Sequence, residues 1–360
     1  MPETDRILKI KSALSNVGTV GNISVMPDYF VDRLIKIDSF DSLVESIKKK
    51  SSEGGGGSIR GIPQIEIKGG NAVNLGYALS RLGASVNVIA IAGSHYAHSL
   101  RSTFGSLSNT RLYMVDGKPG LTTAFEFLDG GRRVNVMVSD VGDLRNFDGS
   151  LLVEEHWQAL AGSKVACVVN WSANVKGNDL CEKVFTFAKQ RGLTTFFDPA
   201  DVSGQIELVP EFKKRILDKR LVDVFSLNEN EIRLLCKKLG NYSLAQDYSP
   251  EDLEHAALVL SDISGSRVDL HTREFSVTCS DHDVTRLACY KVVQKTVTGA
   301  GDVWDSADIC GHLCGLSDED RLHVANAAGG LYVSDESAKS PDVNHVLRFM
   351  ETHKATGARS

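Results

Sequence analysis

The sequence has few of the features that mark secreted, membrane-spanning or nucleic-acid-binding proteins. Its seven cysteines are odd in number and form no Cys-x-x-Cys pair, so neither a disulfide framework nor a zinc site is predicted. No apolar run approaches the roughly eighteen residues of a membrane span. The net charge of −6 gives no general affinity for polyanions. We therefore expect a cytoplasmic protein with reduced thiols and without nucleic-acid or membrane partners.

Three common site motifs are also missing. The chain has no Walker A lysine motif, no Gly-x-Gly-x-x-Gly dinucleotide fingerprint and no Gly-x-Ser-x-Gly nucleophile elbow. These absences argue against a P-loop nucleotide site, a classical dinucleotide site and an α/β-hydrolase serine site.

What is present is an alternation of strand and helix patterns. With 42% hydrophobic and 24% charged residues, the chain has the composition of a globular protein that buries a large core. Apolar runs rich in Val, Ile and Phe alternate with segments of helical spacing, which predicts an α/β fold with a mostly parallel sheet. The predicted strands include "SVNVIAIAG" (85–93), "KVACVVNWS" (164–172), "TTFFDPAD" (194–201) and "VDVFSLN" (222–228).

Two segments interrupt this alternation. Residues 36–68 contain a helical pattern, four consecutive glycines (54–57) and the strand-like "IPQIEI", whereas residues 110–140 show short alternating strands and glycine turns. Four adjacent glycines sample many backbone states, which suits a loop that moves. We interpret both segments as parts of a lid on a single domain spanning 1–360.

The stretch "VTGAGDVWDSA" (297–307) carries the clearest chemical signal. Gly299, Ala300 and Gly301 can direct backbone N–H groups at an anion from the start of a helix. Asp302 directly after them can accept the proton of an attacking hydroxyl. Together they supply what phosphoryl transfer to an alcohol requires, namely positioning, charge stabilisation and a base. An ordinary turn with Asp302 as a helix cap is the alternative.

Two further stretches allow both a structural and a functional interpretation. "NENE" (228–231) places Asn228 and Glu231 at a strand end and in the first helical turn, where they either cap the helix or hold Mg²⁺ through water. "GGNAVN" (69–74) either forms a capped turn or lets a ligand approach the backbone, with Asn74 bonding its hydroxyls.

Taken in order, these three stretches resemble the phosphofructokinase-B, or ribokinase-like, carbohydrate kinase family over about residues 15–350. "GGNAVNLGYALSRLGASVNVIAIAG" is similar to its N-terminal signature, "NENE" to its Asn-x-x-Glu motif and "VTGAGDVWDSADICGHL" to its C-terminal signature. The resemblance implies a three-layer α/β/α fold with a mostly parallel central sheet and a small β lid. It also implies an ATP- and Mg²⁺-dependent kinase that phosphorylates a hydroxyl of a sugar or nucleoside.

The resemblance also implies roles for individual residues. It makes Asp302 the base, and it divides the remaining residues among an anion hole, an acceptor site and a nucleotide–metal site. The anion hole comprises Gly299, Ala300 and Gly301; the acceptor site Asp28, Gly69, Gly70 and Asn74; and the nucleotide–metal site Asn228, Glu231, Thr298 and Asn326, with Asn228 and Glu231 organising Mg²⁺ and Asn326 near the adenine.

One departure from the family pattern concerns the donor site. Where the family usually has Thr-Leu-Gly in a strand, this chain has only "LHT" (270–272). Two alternatives to the leading hypothesis stay open at this point. Lys68 and Arg60 could pair with the phosphate of an already phosphorylated sugar, or the chain could be a non-catalytic ligand-binding member of the family. A homodimer formed through the lids is an expectation from the family alone.

Overall fold

Two β-sheets organise the chain in the computed structural model, which describes residues 3–130, 132–240, 242–245 and 247–353. The central sheet has nine strands in the order β13-β12-β11-β10-β9-β8-β1-β4-β5, and the lid sheet has four in the order β3-β2-β6-β7. The strands are β1 (Asn22–Met26), β2 (Phe30–Lys36), β3 (Gln64–Gly69), β4 (Ser85–Ile91), β5 (Thr110–Val115), β6 (Gly120–Asp129), β7 (Arg132–Asp140), β8 (Ser163–Val169), β9 (Thr194–Asp198), β10 (Val224–Asn228), β11 (Arg267–His271), β12 (Phe275–Ser280) and β13 (Asp283–Ala288).

Helices connect the strands and cover the central sheet. They are α1 (Glu3–Leu14), α2 (Val17–Val20), α3 (Phe40–Ser52), α4 (Asn71–Arg81), α5 (Ser94–Phe104), α6 (Glu154–Ala161), α7 (Gly177–Lys189), α8 (Val209–Phe212), α9 (Glu229–Leu239), α10 (Pro250–Ser264), α11 (Ala300–Leu313), α12 (Asp318–Val333) and α13 (Val343–Thr352). Short 3₁₀ turns lie at 142–146, 171–173 and 202–208, and a π-helical turn lies at 213–217.

The central sheet is mostly parallel because its neighbouring strands are joined by helical crossovers. All its pairs are parallel except β11–β12 and β12–β13, which are hairpins. Side chains alternate between the faces of a strand, and in β4 Val88 and Ala90 enter one core whereas Ile89 and Ile91 enter the other. Helices α1, α4 and α11–α13 contribute to the first core, and α7–α10 contribute to the second. The α/β/α layering predicted from the sequence is confirmed.

The strands that form the lid sheet do not coincide with the strands of the two predicted lid segments. Strand β3 comes from segment 36–68, and β6 and β7 come from segment 110–140. Strand β5, which also falls in 110–140, instead pairs with β4 at the edge of the central sheet. Helix α3 is amphipathic in sequence but buries none of its residues. Among the described residues, and apart from the chain neighbours themselves, no heavy atom lies within 4 Å of where Cβ atoms would stand at Gly54, Gly55 and Gly56.

Two smaller expectations concern cysteines and membranes. None of the seven cysteines, all within the described ranges, forms a disulfide. Among the described helices, none combines the length and apolar character needed to cross a bilayer.

The carboxyl edge of the central sheet gathers polar side chains from neighbouring strands. Asp28 follows β1, Asn170 follows β8, Asp198 ends β9, Asn228 ends β10 and His271 ends β11. These five strands are consecutive in the sheet. Ligands of open parallel sheets bind at this edge, so the fold places the candidate site there.

Candidate active site

The glycine turn begins helix α11 at this edge. Gly299 has a φ of +83°, a left-handed conformation that glycine adopts without strain. A Cβ there would stand 2.9 Å from the Tyr332 hydroxyl oxygen, which itself donates to the Thr298 carbonyl at 2.7 Å. Glycine is therefore required both by the backbone and by Tyr332. The Tyr332 hydroxyl thus holds the carbonyl of Thr298, and Thr298 is not among the residues that line the large cleft described below.

The other two residues of the predicted anion hole differ from each other. The Ala300 N–H donates to the Val297 carbonyl at 3.2 Å and so closes the turn. Gly301 is the next residue of the helix, where N–H groups have no intrahelical acceptor, and it lies on the wall of the cleft. In this structure Gly301 is thus better placed than Ala300 to offer its N–H to an anion.

Asp302 lies in the first turn of α11 and is 6% exposed. Its Oδ1 accepts a hydrogen bond from Asn71 Nδ2 at 3.2 Å. Burial, followed by the nearby carboxylates of Asp198 and Asp28, raises the pKa of Asp302 well above its usual range, while Asn74 and Lys68 oppose that rise. A raised pKa brings a carboxylate closer to the working pH, which suits a general base.

The acceptor-side residues meet around the start of α4. Asp28 is fully buried and accepts from Asn71 N–H (2.8 Å), Ala72 N–H (2.9 Å) and Asn170 Nδ2 (2.8 Å). These bonds cap the helix and leave Asp28 limited capacity to bind a ligand directly. Asp28 therefore acts in this structure first as an organiser of the turn that carries Gly70.

The two glycines before α4 allow carboxylates to pack against the backbone. A Cβ at Gly69 would lie 2.2 Å from the nearest carboxylate oxygen of Asp32. Gly70 has a φ of +90°, and its Cβ would lie 2.9 Å from Asp28 Oδ2. Any larger residue at either position would displace an acidic side chain, so both glycines shape the acceptor side.

Lys68 is the cation of this region. Its ammonium donates to Asn74 Oδ1 at 2.9 Å and stands 4.6 Å from the centre of the Tyr77 ring. Burial lowers the pKa of Lys68 to about 8, although Asp302 and Asp32 favour its charged form. Burial also raises the pKa of Asp32 to about 6. The site thus joins a buried lysine to the proposed base and to a lid carboxylate.

Asn228 and Glu231 form a reciprocal cap at the start of α9. Asn228 N–H donates to Glu231 Oε2 at 2.8 Å and Asn228 Nδ2 donates to Oε1 at 2.6 Å, while Glu231 N–H donates to Asn228 Oδ1 at 3.1 Å. Burial and then the charge of Asp198 raise the pKa of Glu231 to about 8. Burial likewise raises the pKa of Asp198 to about 6. A divalent cation would relieve this concentration of buried negative charge.

The structure limits how such a cation could be held. Within the described ranges, no three His, Cys, Asp or Glu side chains are grouped closely enough to bind a metal ion by themselves. Mg²⁺ usually keeps several waters and takes only one or two carboxylates. The oxygens of Glu231 and Asn228 are already hydrogen-bonded, so the residues fit a hydrated Mg²⁺ beside them and not a fully protein-coordinated one.

A cleft of about 1160 Å³ opens beside the glycine turn. Asn228, His271, Ala300, Gly301, Trp304 and Asn326 are among its lining residues. Asn326, predicted to lie near adenine, accepts from Trp304 Nε1 at 2.8 Å. The volume suits a drug- or nucleotide-sized ligand. Lys68, Asn74 and Asp302 are not among its lining residues, so the cleft is distinct from the Lys68–Asn74 side of the site.

Several residues of the site were not found by reasoning from the sequence. Asp32, Asn71, Asn135, Asn170 and Tyr332 reach the site through contacts with residues distant in sequence. Asp32 carried a weak signal, because it lies four residues after Asp28 in "DYFVD" and opposite Ile67 in the β2–β3 register.

Comparison with known protein families decides the assignment. The sequence profile of the prokaryotic ketohexokinase family matches residues 27–353. The chain belongs to the prokaryotic ketohexokinase family. It is accordingly a kinase of the carbohydrate or nucleoside class. The resemblance to ribokinase-like carbohydrate kinases stated from the sequence motifs is confirmed.

Solved structures show the same fold at low sequence identity. A ribokinase from Thermotoga maritima is 19% identical with a TM-score of 0.66, covering 92% of this chain and 100% of its own. An Arabidopsis thaliana ribokinase, solved with ribose and ATP, is 15% identical with a TM-score of 0.70 and coverages of 92% and 99%. Phosphofructokinase-2 from Escherichia coli is 14% identical with a TM-score of 0.67 and coverages of 92% and 98%. A search of curated proteins finds no match.

Proposed function

We propose that this family member transfers the γ-phosphate of ATP to a hydroxyl of a free ketohexose. The observation that carries the proposal is Asp302, a buried carboxylate in the first turn of α11 that directly follows the cleft-lining Gly301 and interacts with Asn74 and Lys68. The family match supports a ketohexose as acceptor. ATP as donor is supported by the cleft and by the bound nucleotide in the Arabidopsis ribokinase of the same fold.

The residues divide the reaction among themselves as follows. Asp302 takes the proton of the acceptor hydroxyl as the hydroxyl oxygen attacks the γ-phosphorus. The bond between the γ-phosphorus and the bridging oxygen of the β-phosphate breaks, and ADP is released. Gly301 N–H and the positive end of α11 stabilise the charge on the transferred group. Mg²⁺, when bound, shields the charge of the nucleotide phosphates, and Asn228, Asp198 and Glu231 would hold its waters.

The charge of the acceptor side favours a neutral sugar over a sugar phosphate. Lys68 already balances Asp302 and Asp32 and is hydrogen-bonded to Asn74. Arg60 is exposed. A phosphate placed near these carboxylates would be repelled. A neutral polyol can instead exchange hydrogen bonds with them.

A homodimer is part of the proposal. Strands β3 and β7 of the lid sheet expose Ile65, Ile67, Val136, Met137 and Val138, each at least 42% accessible. Clustered apolar side chains on a surface mark contact sites. The register places Ile65, Ile67 and Met137 on one face of this sheet and Val136 and Val138 on the other, and a second copy of the chain would cover one of the two faces.

The test of this function is ADP release measured with one acceptor at a time. The panel comprises D-fructose and other ketohexoses, D-ribose, adenosine, inosine and fructose 1-phosphate, each with ATP and Mg²⁺. We expect the highest kcat/KM with a free ketohexose. A clear preference for a nucleoside or for the sugar phosphate would overturn the acceptor assignment, and an absence of acceptor-dependent ADP release would overturn the function.

A further inference from the structure

Asn135 connects the lid sheet to the catalytic turn. It lies on lid strand β7, and its Nδ2 donates to Thr298 Oγ1 at 2.9 Å across 163 positions of sequence. Thr298 directly precedes Gly299, and its carbonyl is held by Tyr332. The lid therefore touches the residue from which the glycine turn begins.

The other polar atom of the same amide has no partner. Asn135 Oδ1 is buried and accepts no hydrogen bond from any described residue. A buried polar atom without a partner is unfavourable, because it has lost its hydrogen bonds to water and gained none in the protein. The Thr298 hydroxyl can both donate and accept, so rotating the amide would leave Nδ2 unpaired instead. In either orientation one buried polar group remains available to a ligand.

The register of the lid sheet shows which face Asn135 occupies. Side chains two apart on a strand share a face, so Asn135 shares its face with Ser139. Ser139 contacts Thr122 through their hydroxyls at 3.0 Å, and Thr122 bonds Asp32, which packs against Gly69. Asn135 thus belongs to the face that turns toward the acceptor side.

We propose that Asn135 is an acceptor-binding residue of the lid, with Nδ2 fixed on Thr298 and Oδ1 accepting a hydrogen bond from one hydroxyl of the sugar. This inference rests on the proposed function, because it requires a polyol acceptor beside Asp302. One side chain then links the lid, the acceptor and the anion-binding turn. Closure of the lid over the sugar and alignment of the glycine turn are then coupled through the Asn135 side chain.

The test is a comparison of acceptors and variants in one cycle. Wild type and Asn135→Leu, which keeps the size and removes both polar atoms, are assayed with D-fructose and with each of its monodeoxy analogues. If D-fructose is not the best acceptor in the panel, the best acceptor and its deoxy analogues replace it. Leu128→Ala serves as a control, because Leu128 is an exposed lid residue outside these contacts.

We expect Asn135→Leu to raise the KM for the sugar about threefold to tenfold, the usual weight of one neutral hydrogen bond. One deoxy analogue should lose a similar factor in wild type and nothing further in Asn135→Leu, since the two changes remove the same bond. Asn135→Asp, which keeps an oxygen acceptor, should restore discrimination for that hydroxyl. The KM for ATP should change little.

Failure of this inference and failure of the function give different results. If wild type phosphorylates the sugar but Asn135→Leu discriminates among the analogues as wild type does, Asn135 is only a structural contact of the lid and the inference is wrong. If wild type shows no acceptor-dependent ADP release, the proposed function fails and this inference fails with it.

Discussion

At the scale of single residues, the balance of charge around Asp302 governs whether it can act as a base. Burial and the carboxylates of Asp198 and Asp28 raise its pKa, and Lys68 lowers it. Lys68 is buried itself, with a pKa lowered to about 8. The positive charge that opposes the rise in the pKa of Asp302 is thus partly lost at mildly alkaline pH.

This balance predicts how Lys68 variants change the pH profile of kcat/KM. Lys68→Met removes the cation, so the pKa of Asp302 rises further and the acid limb moves to higher pH. Lys68→Arg keeps a charge that does not titrate, so the decline that we expect of wild type above about pH 8 should move to higher pH. Lys36→Met, at an exposed lysine on lid strand β2, is the control. Identical acid limbs for wild type and Lys68→Met would refute the coupling.

At the scale of secondary-structure elements, most residues of the site lie at the N-termini of helices. The N-terminus of α9 leads to a prediction about Mg²⁺. Glu231→Gln keeps the size of the cap partner but removes its charge near Asp198. Groups that orient a metal's ligands change metal affinity by about 10–100-fold, so the Mg²⁺ concentration at half-maximal rate should rise about tenfold or more. Glu319→Gln, which removes a first-turn carboxylate of α12, is the matched control. If the Mg²⁺ concentration at half-maximal rate is the same in Glu231→Gln as in wild type, Glu231 acts only as a helix cap.

The elements also show what local sequence can and cannot reveal. The strand "TTFFD" and the glycine turn before Asp302 depend on local pattern, and the sequence predicts both. Strand β5 was assigned to the lid because "TRLYMV" alternates as lid strands do, and its pairing with β4 is a non-local choice. Helix α1 packs against the distant α13, a contact that likewise depends on the tertiary fold.

The residues of the candidate site likewise fall into those that local sequence reveals and those that it does not. Asp302 and the glycines around it follow from local backbone requirements that a motif can display. The contacts Asn170–Asp28 and Asn135–Thr298 join residues 142 and 163 positions apart. No periodicity encodes such pairs, because the topology of the two sheets brings them together.

At the scale of the whole molecule, the apolar lid surface predicts a dimer. The mass measured by light scattering should be twice 39.1 kDa. Ile65 and Val138 lie on opposite faces of the lid sheet according to its register and are 51% and 62% exposed. A charge buried at an interface is costly. We therefore expect one of the variants Ile65→Asp and Val138→Asp to be monomeric, and that variant identifies the face of the lid sheet that forms the interface. A monomeric wild type would contradict this part of the proposal.

The most direct test of the account is the turnover of Asp302→Asn with a ketohexose, ATP and Mg²⁺, measured together with nucleotide affinity. Loss of a general base typically costs about 10²–10⁴-fold in rate. Because Asp302 is assigned to proton transfer and the nucleotide cleft is lined by other residues, kcat should fall by this factor while ATP binding stays within about twofold of wild type. Turnover near the wild-type value would contradict the central claim that this carboxylate activates the acceptor hydroxyl.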